Sequence, residues 1–331
     1  MPAEAKTEPT ATRAGYGDAL ADLGEEHQDV VALDADLASS TQAIKFGKKF
    51  PDRFFNVGAA EANMMSMACG LAATGKVPYC STFAIFASGR AYDQVRLGIA
   101  HNELKVRIGA SHGGVSLGED GASHQMIEDI ALMRAMPRMT VVVPADYNQA
   151  YRATAESYER DEPMYMRFGR PATPIVYEDI PKTLGGGVDV VREGKDISLI
   201  ATGHMVWRAM EAAESLEAED GVEAEVLNVS IIKPLDSEGV MGSIARTGVA
   251  VTAEEHRKAG GLADAIRTVA AEQYPVPILA VGVDDTFGVS GSGEAVMERF
   301  GLTAAGIADA VRQALVLKPV VRHSPVLDPG E

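Results

Sequence analysis

Short hydrophobic runs of strand length alternate with helical patterns along nearly the whole chain. In the first half, five such runs predict buried strands, at residues 30–35, 54–57, 77–83, 105–111 and 140–145. Helical periodicity lies between and around them, at roughly 14–26, 60–73, 88–101, 124–135 and 147–159. Strands that alternate with helices form βαβ units, whose parallel sheet is covered by helices on both faces. The pattern therefore predicts a doubly wound α/β domain.

The pattern stops at residues 174–195, where prolines, three consecutive glycines and charged residues predict a linker. A second alternating set follows, with strands at 196–202, 224–232, 249–254 and 277–283 and helices near 205–218, 260–273 and 304–316. We therefore expect two α/β domains with parallel or mixed sheets, at 14–173 and 196–317, a flexible lead-in at 1–13 and a surface tail at 318–331.

The composition excludes several classes of protein. Of 331 residues, 46% are hydrophobic and 23% are charged, which is typical of a globular chain and excludes disordered, collagen-like and disulfide-rich proteins. Cys69 and Cys80 lie in apolar runs and are expected to be reduced core residues. We find no apolar run of the roughly 18 residues that a membrane span needs and no secretory signal, so we expect a cytoplasmic protein without a membrane partner.

The net charge of −17, from 47 acidic and 30 basic residues, argues against nucleic acid as a partner. The long-range field of such a chain repels phosphate backbones. A local basic pocket for a single phosphate remains compatible with this charge.

Polar and aromatic side chains follow the predicted strands of the first domain. In open parallel sheets, ligands bind at the carboxyl ends of the strands. The residues expected there are Asp34, Asp36, Ser39, Ser40, Glu61, Thr82, Phe83, Phe86, His112, Asp120 and His124. Carboxylates, histidines, a hydroxyl and aromatic rings at one edge are typical of an active site for polar chemistry.

Each of these residues also has a purely structural interpretation. Glu61 in a first helical turn stabilises the helix dipole, and His124 follows Ser123, a candidate N-cap. Phe83 and Phe86 could be core residues. We find no nucleophile motif and no metal-ligand spacing, and the run at 260–265 is not a dinucleotide fingerprint.

Several segments together resemble the transketolase family. Residues 111–134 resemble its H-x7-D-x3-H signature, and residues 56–72 resemble the helix with its cofactor-activating glutamate. Residues 35–40 and 81–86 match two further segments in the same order, and residues 251–266 resemble the C-terminal domain. The resemblance extends over roughly residues 14–317. It implies a pyrimidine-binding domain followed by a transketolase C-terminal domain.

The chain resembles only the C-terminal half of a transketolase. The GDG motif that holds thiamine diphosphate through Mg²⁺, with its later asparagine, is missing. The resemblance therefore implies a separate N-terminal subunit that supplies the pyrophosphate and metal ligands. We expect a heterotetramer with two copies of each subunit. The apolar positions Met64, Met65, Met67, Leu71 and Leu97 are expected to form its interface.

The resemblance implies roles for the cofactor-side residues. Glu61 is expected to hydrogen-bond the aminopyrimidine ring of thiamine diphosphate, and Phe86 to stack on that ring beside Phe83. Asp36 is expected near the cofactor at the subunit interface. The family position three residues after Phe86 is often aromatic, whereas this chain has Gly89 there, so one wall of the pocket differs.

On the substrate side, the resemblance implies that His112 and His124 contact the sugar and that His124 takes part in proton transfer. Asp120 is expected to bind a sugar hydroxyl. Ser40 and Arg170 align with phosphate contacts, although Arg167 is an alternative to Arg170. No metal ligand is expected from this chain.

The implied activity is transfer of a two-carbon ketol unit between sugar phosphates, for example from xylulose 5-phosphate. One alternative is the β subunit of a pyruvate-dehydrogenase-type 2-oxoacid dehydrogenase, which the paired histidines disfavour. The other is a scaffold subunit without turnover, which retention of Glu61 disfavours.

Overall fold

The computed structural model describes residues 4–318, which form two α/β units. The strands are β1 (Thr10–Ala11), β2 (Val30–Asp34), β3 (Phe54–Asn56), β4 (Val77–Phe83), β5 (Arg107–Ser111), β6 (Thr140–Val142), β7 (Met164–Arg167), β8 (Ala172–Thr173), β9 (Val188–Arg192), β10 (Ile197–Ala201), β11 (Ala224–Val229), β12 (Ile231–Lys233), β13 (Ala250–Arg257) and β14 (Ile278–Val283).

Helices lie between these strands in both units. The α-helices are α1 (Thr12–Glu26), α2 (Ala38–Thr41), α3 (Ile44–Lys49), α4 (Glu61–Ala73), α5 (Asp129–Ala135), α6 (Tyr147–Ser157), α7 (Met205–Asp220), α8 (Ser237–Thr247), α9 (Leu262–Gln273), α10 (Gly293–Arg299) and α11 (Ala304–Leu317). A 3-10 turn covers Pro51–Arg53, and wide π-helical turns cover Phe86–Arg90 and Gln94–Ala100.

The two sheets confirm the predicted α/β class. The first has the order β12-β6-β7-β5-β4-β2-β3 and is parallel except for β12. The second has the order β14-β13-β10-β11-β9 and is parallel except for β9. Helices cover both faces of the sheets, so β4 is buried along its whole length. That burial explains why apolar residues at 77–80 and 83 follow one another without the alternation of a half-exposed strand, and why the polar residues between them, Ser81 and Thr82, are small.

The predicted strand at 224–232 is wrong as a single strand. It is divided at Ser230, so that β11 joins the second sheet and β12 pairs with β6 in the first. Both strands are buried, so the sequence is apolar on both sides of Ser230 and its hydrophobic pattern does not show where one strand ends and the next begins. One short run of chain thus ties the two units together.

Two predicted unstructured segments are partly ordered. The linker at 174–195 contains β9, which pairs with β11, and the lead-in at 1–13 contains β1, which pairs with β8. Backbone hydrogen bonds to neighbouring strands order both segments, although their glycines and prolines predict irregular chain. Of the tail predicted for 318–331, only residue 318 lies within the described part.

The predicted interface residues divide into two groups. Met64 and Met65 are fully buried in the core of the first unit, which corrects their assignment to an interface. Leu71 is half-buried against the same core. Met67 and Leu97 are 36% and 54% exposed. Helical periodicity places these methionines on two different sides of α4.

One described segment, Gly293–Leu317, is long and apolar enough by length and composition to cross a membrane. It consists of α10 and α11, which are separate helices. Val296, Met297, Ile307 and Val311 from these helices are buried in the hydrophobic core of the second unit. Packing within the fold therefore accounts for part of its apolar composition, while Val316 and Leu317 are exposed.

Met64→Ala should lower the free energy of unfolding of the isolated chain by about 2–5 kcal/mol, because it leaves a cavity in the core. Met67→Ala is the matched control on the exposed side of the same helix and should change it by less than about 0.5 kcal/mol. Urea unfolding followed by circular dichroism measures both values. Equal losses for the two variants would contradict the assignment of Met64 to the core.

Candidate active site

Four neighbouring strands bring the predicted residues to one edge. β3, β2, β4 and β5 are adjacent and parallel, so their carboxyl ends lie side by side. Asp36 follows β2, Glu61 follows β3, Phe83 ends β4 and His112 follows β5. The strand order therefore brings together residues that are up to 76 positions apart in the chain, from position 36 to position 112.

Glu61 is the first residue of α4 and is 4% exposed. The turn before it contains Gly58 at φ +74°, a conformation that glycine adopts without strain. Arg90 is the charged partner of Glu61, with 3.2 Å between Arg90 Nη1 and Glu61 Oε1. The helix N-terminus and this guanidinium both stabilise a carboxylate in a largely buried position.

An aromatic wall stands beside the carboxylate. The rings of Phe83 and Phe86 are nearly parallel, with 5.8 Å between their centroids. Phe83 also stacks on His112 at 3.8 Å, and His124 approaches Phe86 edge-on at 5.5 Å. The four rings form a continuous surface on which a flat heterocycle can stack.

Arg90 connects the wall to Glu61. Its guanidinium carbon lies 4.0 Å from the centroid of the Phe86 ring, in cation–π geometry. The wide π-helical turn at Phe86–Arg90 brings the two side chains together. A Cβ at Gly89 would meet no atom within 4 Å, so the wall that is often aromatic in the family is open here.

His112 is held in an uncommon backbone conformation, with φ +61°. Such positions are costly for non-glycine residues and concentrate at functional sites. The ring is buried, and Ser111 Oγ lies 2.8 Å from its Nδ1. Burial first, and then the nearby Arg13 and Arg170, lower the pKa of His112 to about 3. The ring is therefore neutral near pH 7.

The loop after His112 carries the remaining signature residues. Asp120 is exposed and His124 is half-buried, with its Nδ1 3.0 Å from Ser123 Oγ. The predicted helix at 124–135 is shorter than expected, since α5 begins only at Asp129. Ser123 is therefore not an N-cap, and the structural interpretation of His124 as a helix-start residue is wrong.

Two arginines lie beside His112. Arg13 Nη1 donates to the backbone oxygen of Ser40 at 2.7 Å. Burial first, and then the charge of Arg170, lower the pKa of Arg13. Arg170 itself donates to Leu117 O and, at 3.0 Å, to Glu119. Two guanidiniums whose charges both act on His112 favour a dianion at this point.

Arg167 does not belong to this group. Its side chain is 6% exposed, its Nε donates to Asp129 Oδ2 at 2.8 Å, and its Nη2 donates to the backbone oxygens of Met126 and Glu255. Its Nε and Nη2 donors therefore point into the protein. Of the two alternatives raised by the sequence, Arg170 has the more exposed side chain, at 39% against 6% for Arg167.

The carboxylates after β2 differ in environment. Asp34 is buried, and burial raises its pKa to about 6, although Leu37 N–H donates to it at 2.9 Å. Asp36 is exposed at φ +63°, and Asn56 Nδ2 lies 3.5 Å from its Oδ1. Asp36 is therefore on the surface of the pocket, and Asp34 supports the turn that presents it.

The site fits the pyrimidine end of the implied cofactor. A buried carboxyl group beside stacked aromatic rings provides a hydrogen-bonding partner and a stacking surface, the two contacts that an aminopyrimidine requires. Among residues 4–318, no group of three or more histidine, cysteine or acidic side chains could hold a metal ion.

Sequence reasoning missed Arg13 and Arg90. Arg13 lies at the start of α1, far from every signature segment, and only the fold brings it to Ser40. For Arg90, a signal was present: a buried glutamate requires a nearby cation, and Arg90 follows the predicted aromatic segment by four positions.

The comparisons with known proteins agree with this geometry. Residues 8–175 match the family model described as transketolase, pyrimidine binding domain, and residues 186–307 match that of the transketolase C-terminal domain. A Methanocaldococcus jannaschii protein named for its likeness to a transketolase C-terminal section is 42% identical, over 92% of this chain and 96% of the relative. The 6-deoxy-6-sulfo-D-fructose transketolase subunit of a Clostridium species is also 42% identical, over 95% of this chain and 97% of the relative.

Two further likenesses concern length and fold. Human transketolase is 36% identical over 91% of this chain, but the match covers only 48% of the human protein. A solved structure described as a split-gene transketolase, inactive β4 tetramer, has a TM-score of 0.86 and 44% identity, over 94% of this chain and all of that one. The chain therefore belongs to the transketolase family, as a C-terminal section that comprises the pyrimidine-binding and C-terminal domains.

Proposed function

We propose that this chain is the C-terminal subunit of a thiamine-diphosphate-dependent transketolase that transfers a two-carbon ketol unit between sugar phosphates. The observation that carries the proposal is the meeting, at one sheet edge, of a buried glutamate, a stacked aromatic wall and a pair of arginines. The glutamate and wall suit a pyrimidine ring, and the arginines suit a phosphate. Both ends of the reaction are thus represented on this chain.

The partner is an N-terminal subunit that holds most of the pyrophosphate and the Mg²⁺. Relatives that the chain covers almost completely, named as a transketolase C-terminal section and as a transketolase subunit, support this division. Exposed apolar side chains around the site, Phe55, Met67 and Leu97, support a protein interface there. We propose a heterotetramer with two copies of each subunit. A cytoplasmic location is supported by the free thiols of Cys69 and Cys80 and by the phosphorylated substrates.

Glu61 controls the proton on the cofactor ring. Its buried position disfavours a bare charge, so once Arg90 moves aside the carboxyl group shares one proton with a ring nitrogen, donating it to the neutral ring. Phe86 supplies the stacking face and Asp36 lies at the cofactor side of the pocket. When bound, thiamine diphosphate supplies the nucleophilic carbon for ketol transfer.

The histidines orient the sugar. His112 is neutral, so that one ring nitrogen can donate and the other accept, and Ser111 occupies its Nδ1. His124 is the more accessible ring and is placed to exchange a proton with the hydroxyl or carbonyl of the donor. Asp120, exposed on the same loop, is placed to accept a hydrogen bond from a sugar hydroxyl.

The phosphate binds between Arg13 and Arg170, next to Ser40. Guanidinium pairs bind phosphate oxygens through charge-assisted hydrogen bonds. Arg170 exchanges its surface partner Glu119 for the phosphate, which costs little because that ion pair is exposed.

Glu61→Ala in the reconstituted two-subunit complex should lower kcat by about 10²–10⁴, because the proton on the cofactor ring loses its partner. The assay is ketol transfer from xylulose 5-phosphate to ribose 5-phosphate with thiamine diphosphate and Mg²⁺. Glu103→Ala, at an exposed ion pair with Arg138, is the control and should retain activity.

The same assay separates the alternatives. We expect activity only in the mixture of the two subunits. Full activity of Glu61→Ala would point to a scaffold role for this chain. Pyruvate decarboxylation by the mixture, without sugar transfer, would replace the proposal by the 2-oxoacid dehydrogenase alternative.

Arg13→Ala and Arg170→Ala should each raise KM for a phosphorylated ketose by about 10–100-fold, the value of one charge-assisted hydrogen bond. Neither variant should change kcat/KM for a ketose without phosphate, since that donor has no phosphate group for either guanidinium to bind. Steady-state kinetics with both donors measure the difference, and Arg96→Ala serves as the control. An equal loss with both donors would contradict the phosphate assignment.

His112 should not titrate between pH 5 and 8, because its pKa in the folded chain is about 3. The unfolded ring binds a proton near pH 6.5, so the contribution of His112 to stability is complete above that pH and is lost as the pH falls toward 3. Ring-proton NMR of the substrate-free chain, assigned with His112→Gln, measures this. A ring that titrates near 6.5 would show that the site is not desolvated.

A further inference from the structure

The loop of residues 113–121 is held by the second domain. Glu255, on β13, accepts hydrogen bonds from the backbone N–H groups of Val115 at 2.7 Å and Ser116 at 2.6 Å, both at Oε1. The side chain of Glu255 is 3% exposed. A single carboxylate oxygen of one domain thus binds two consecutive amides of the other.

The approach between loop and domain is close. A Cβ at Gly114, which has φ +90°, would lie 2.2 Å from Glu255 Oε1. A Cβ at Gly118, at φ +79°, would lie 2.7 Å from the backbone nitrogen of Gly293. These two glycines allow the loop to lie directly on the second domain, and any side chain there would separate the two.

Two more hydrogen bonds with the second domain hold the chain just after the loop, at Gln125 and Ile127. Gln125 Nε2 donates to Val289 O of the second domain at 2.8 Å and to Gly118 O within the loop at 3.2 Å. The backbone N–H of Arg257 donates to Ile127 O at 3.0 Å. The segment between His112 and Gln125 is therefore anchored to the second domain on both sides.

We propose that Glu255 is a positioning residue for the sugar site. It fixes the loop that carries Asp120 and ends at His124, so that the second domain determines sugar binding without touching the sugar. This inference rests on the function proposed above for the histidines. Hydrogen bonds from amides to a buried carboxylate are about twice as strong as those to a neutral acceptor. A displacement of about 1 Å in a reacting group lowers rates by about 100-fold.

The test uses Glu255→Ala and Glu255→Gln in the complex with the N-terminal subunit. The glutamine variant keeps the size and one acceptor oxygen, so that it preserves the fold. Glu223→Ala, at an exposed ion pair with Lys195 in the same domain, is the matched control. Three quantities are measured: hydrogen exchange of the Val115 and Ser116 amides, kcat and KM for the ketose phosphate, and Kd for thiamine diphosphate.

We expect Glu255→Ala to lower kcat/KM for the ketose phosphate by about 100-fold and to increase exchange of the two amides. Kd for thiamine diphosphate stays the same, because Glu61 and Phe86 lie on other elements. Glu255→Gln gives intermediate values, and the control gives none of these changes. Unchanged exchange of the two amides in Glu255→Ala would overturn the proposal.

A general structural role predicts a different result. In that case cofactor affinity and kcat/KM fall together with the folded fraction, which would also overturn the positioning role. If wild-type complex transfers no ketol unit while Glu255→Ala still increases amide exchange, the function proposed above fails and the contact between Glu255 and the loop stands.

Discussion

The parallel adjacency of β3, β2, β4 and β5 is the constraint on which the rest of the site depends. All four strands run in one direction, so their carboxyl ends must meet at one edge whatever the sequence between them. The pairings of Asp34 with Ser81 and of Phe83 with Ser111 fix the relative height of the strand ends. A slip of one residue would turn the following side chain to the other face of the sheet. The register of the strands therefore determines which side chains lie in the site.

The buried charges of the site are each held by a defined partner, but the partners differ in how easily they leave. Arg167 and Asp129 are both buried, and separating them would strand a charge, which costs about 3–5 kcal/mol. Glu61 is equally buried, yet its partner Arg90 is 59% exposed. Arg90 can therefore be exchanged for a bound ring without repacking of the core. The ion pair between Arg167 and Asp129 is therefore fixed, whereas the pair between Arg90 and Glu61 can be replaced.

The sequence predicts the fold best where burial is uniform and local. The strand at 77–83 has the predicted bounds, because every residue in it is apolar or small and lies between two helical layers. The division of 224–232 between two sheets could not be predicted, since membership in a sheet depends on partners far away in the chain. The late start of α5 has the same origin, because contacts with the second domain hold residues 124–128 out of the helix. For the site, residue types and strand ends predicted that Glu61 and His112 would lie at one sheet edge, and their roles stay predictions from the family resemblance. Arg13 could be found only from the tertiary structure.

The charge of the molecule limits how its substrate can be captured. A net charge of −17 repels a sugar phosphate at long range, although this repulsion is screened beyond about 8 Å at physiological salt. Attraction must then come from Arg13 and Arg170 at short range, where burial beside His112 reduces screening. A neutral His112 adds hydrogen bonds there without adding charge. In the proposed function, recognition of the phosphate consequently depends on the local geometry of two guanidiniums, whereas the contact with the cofactor depends on Glu61, which is paired with Arg90.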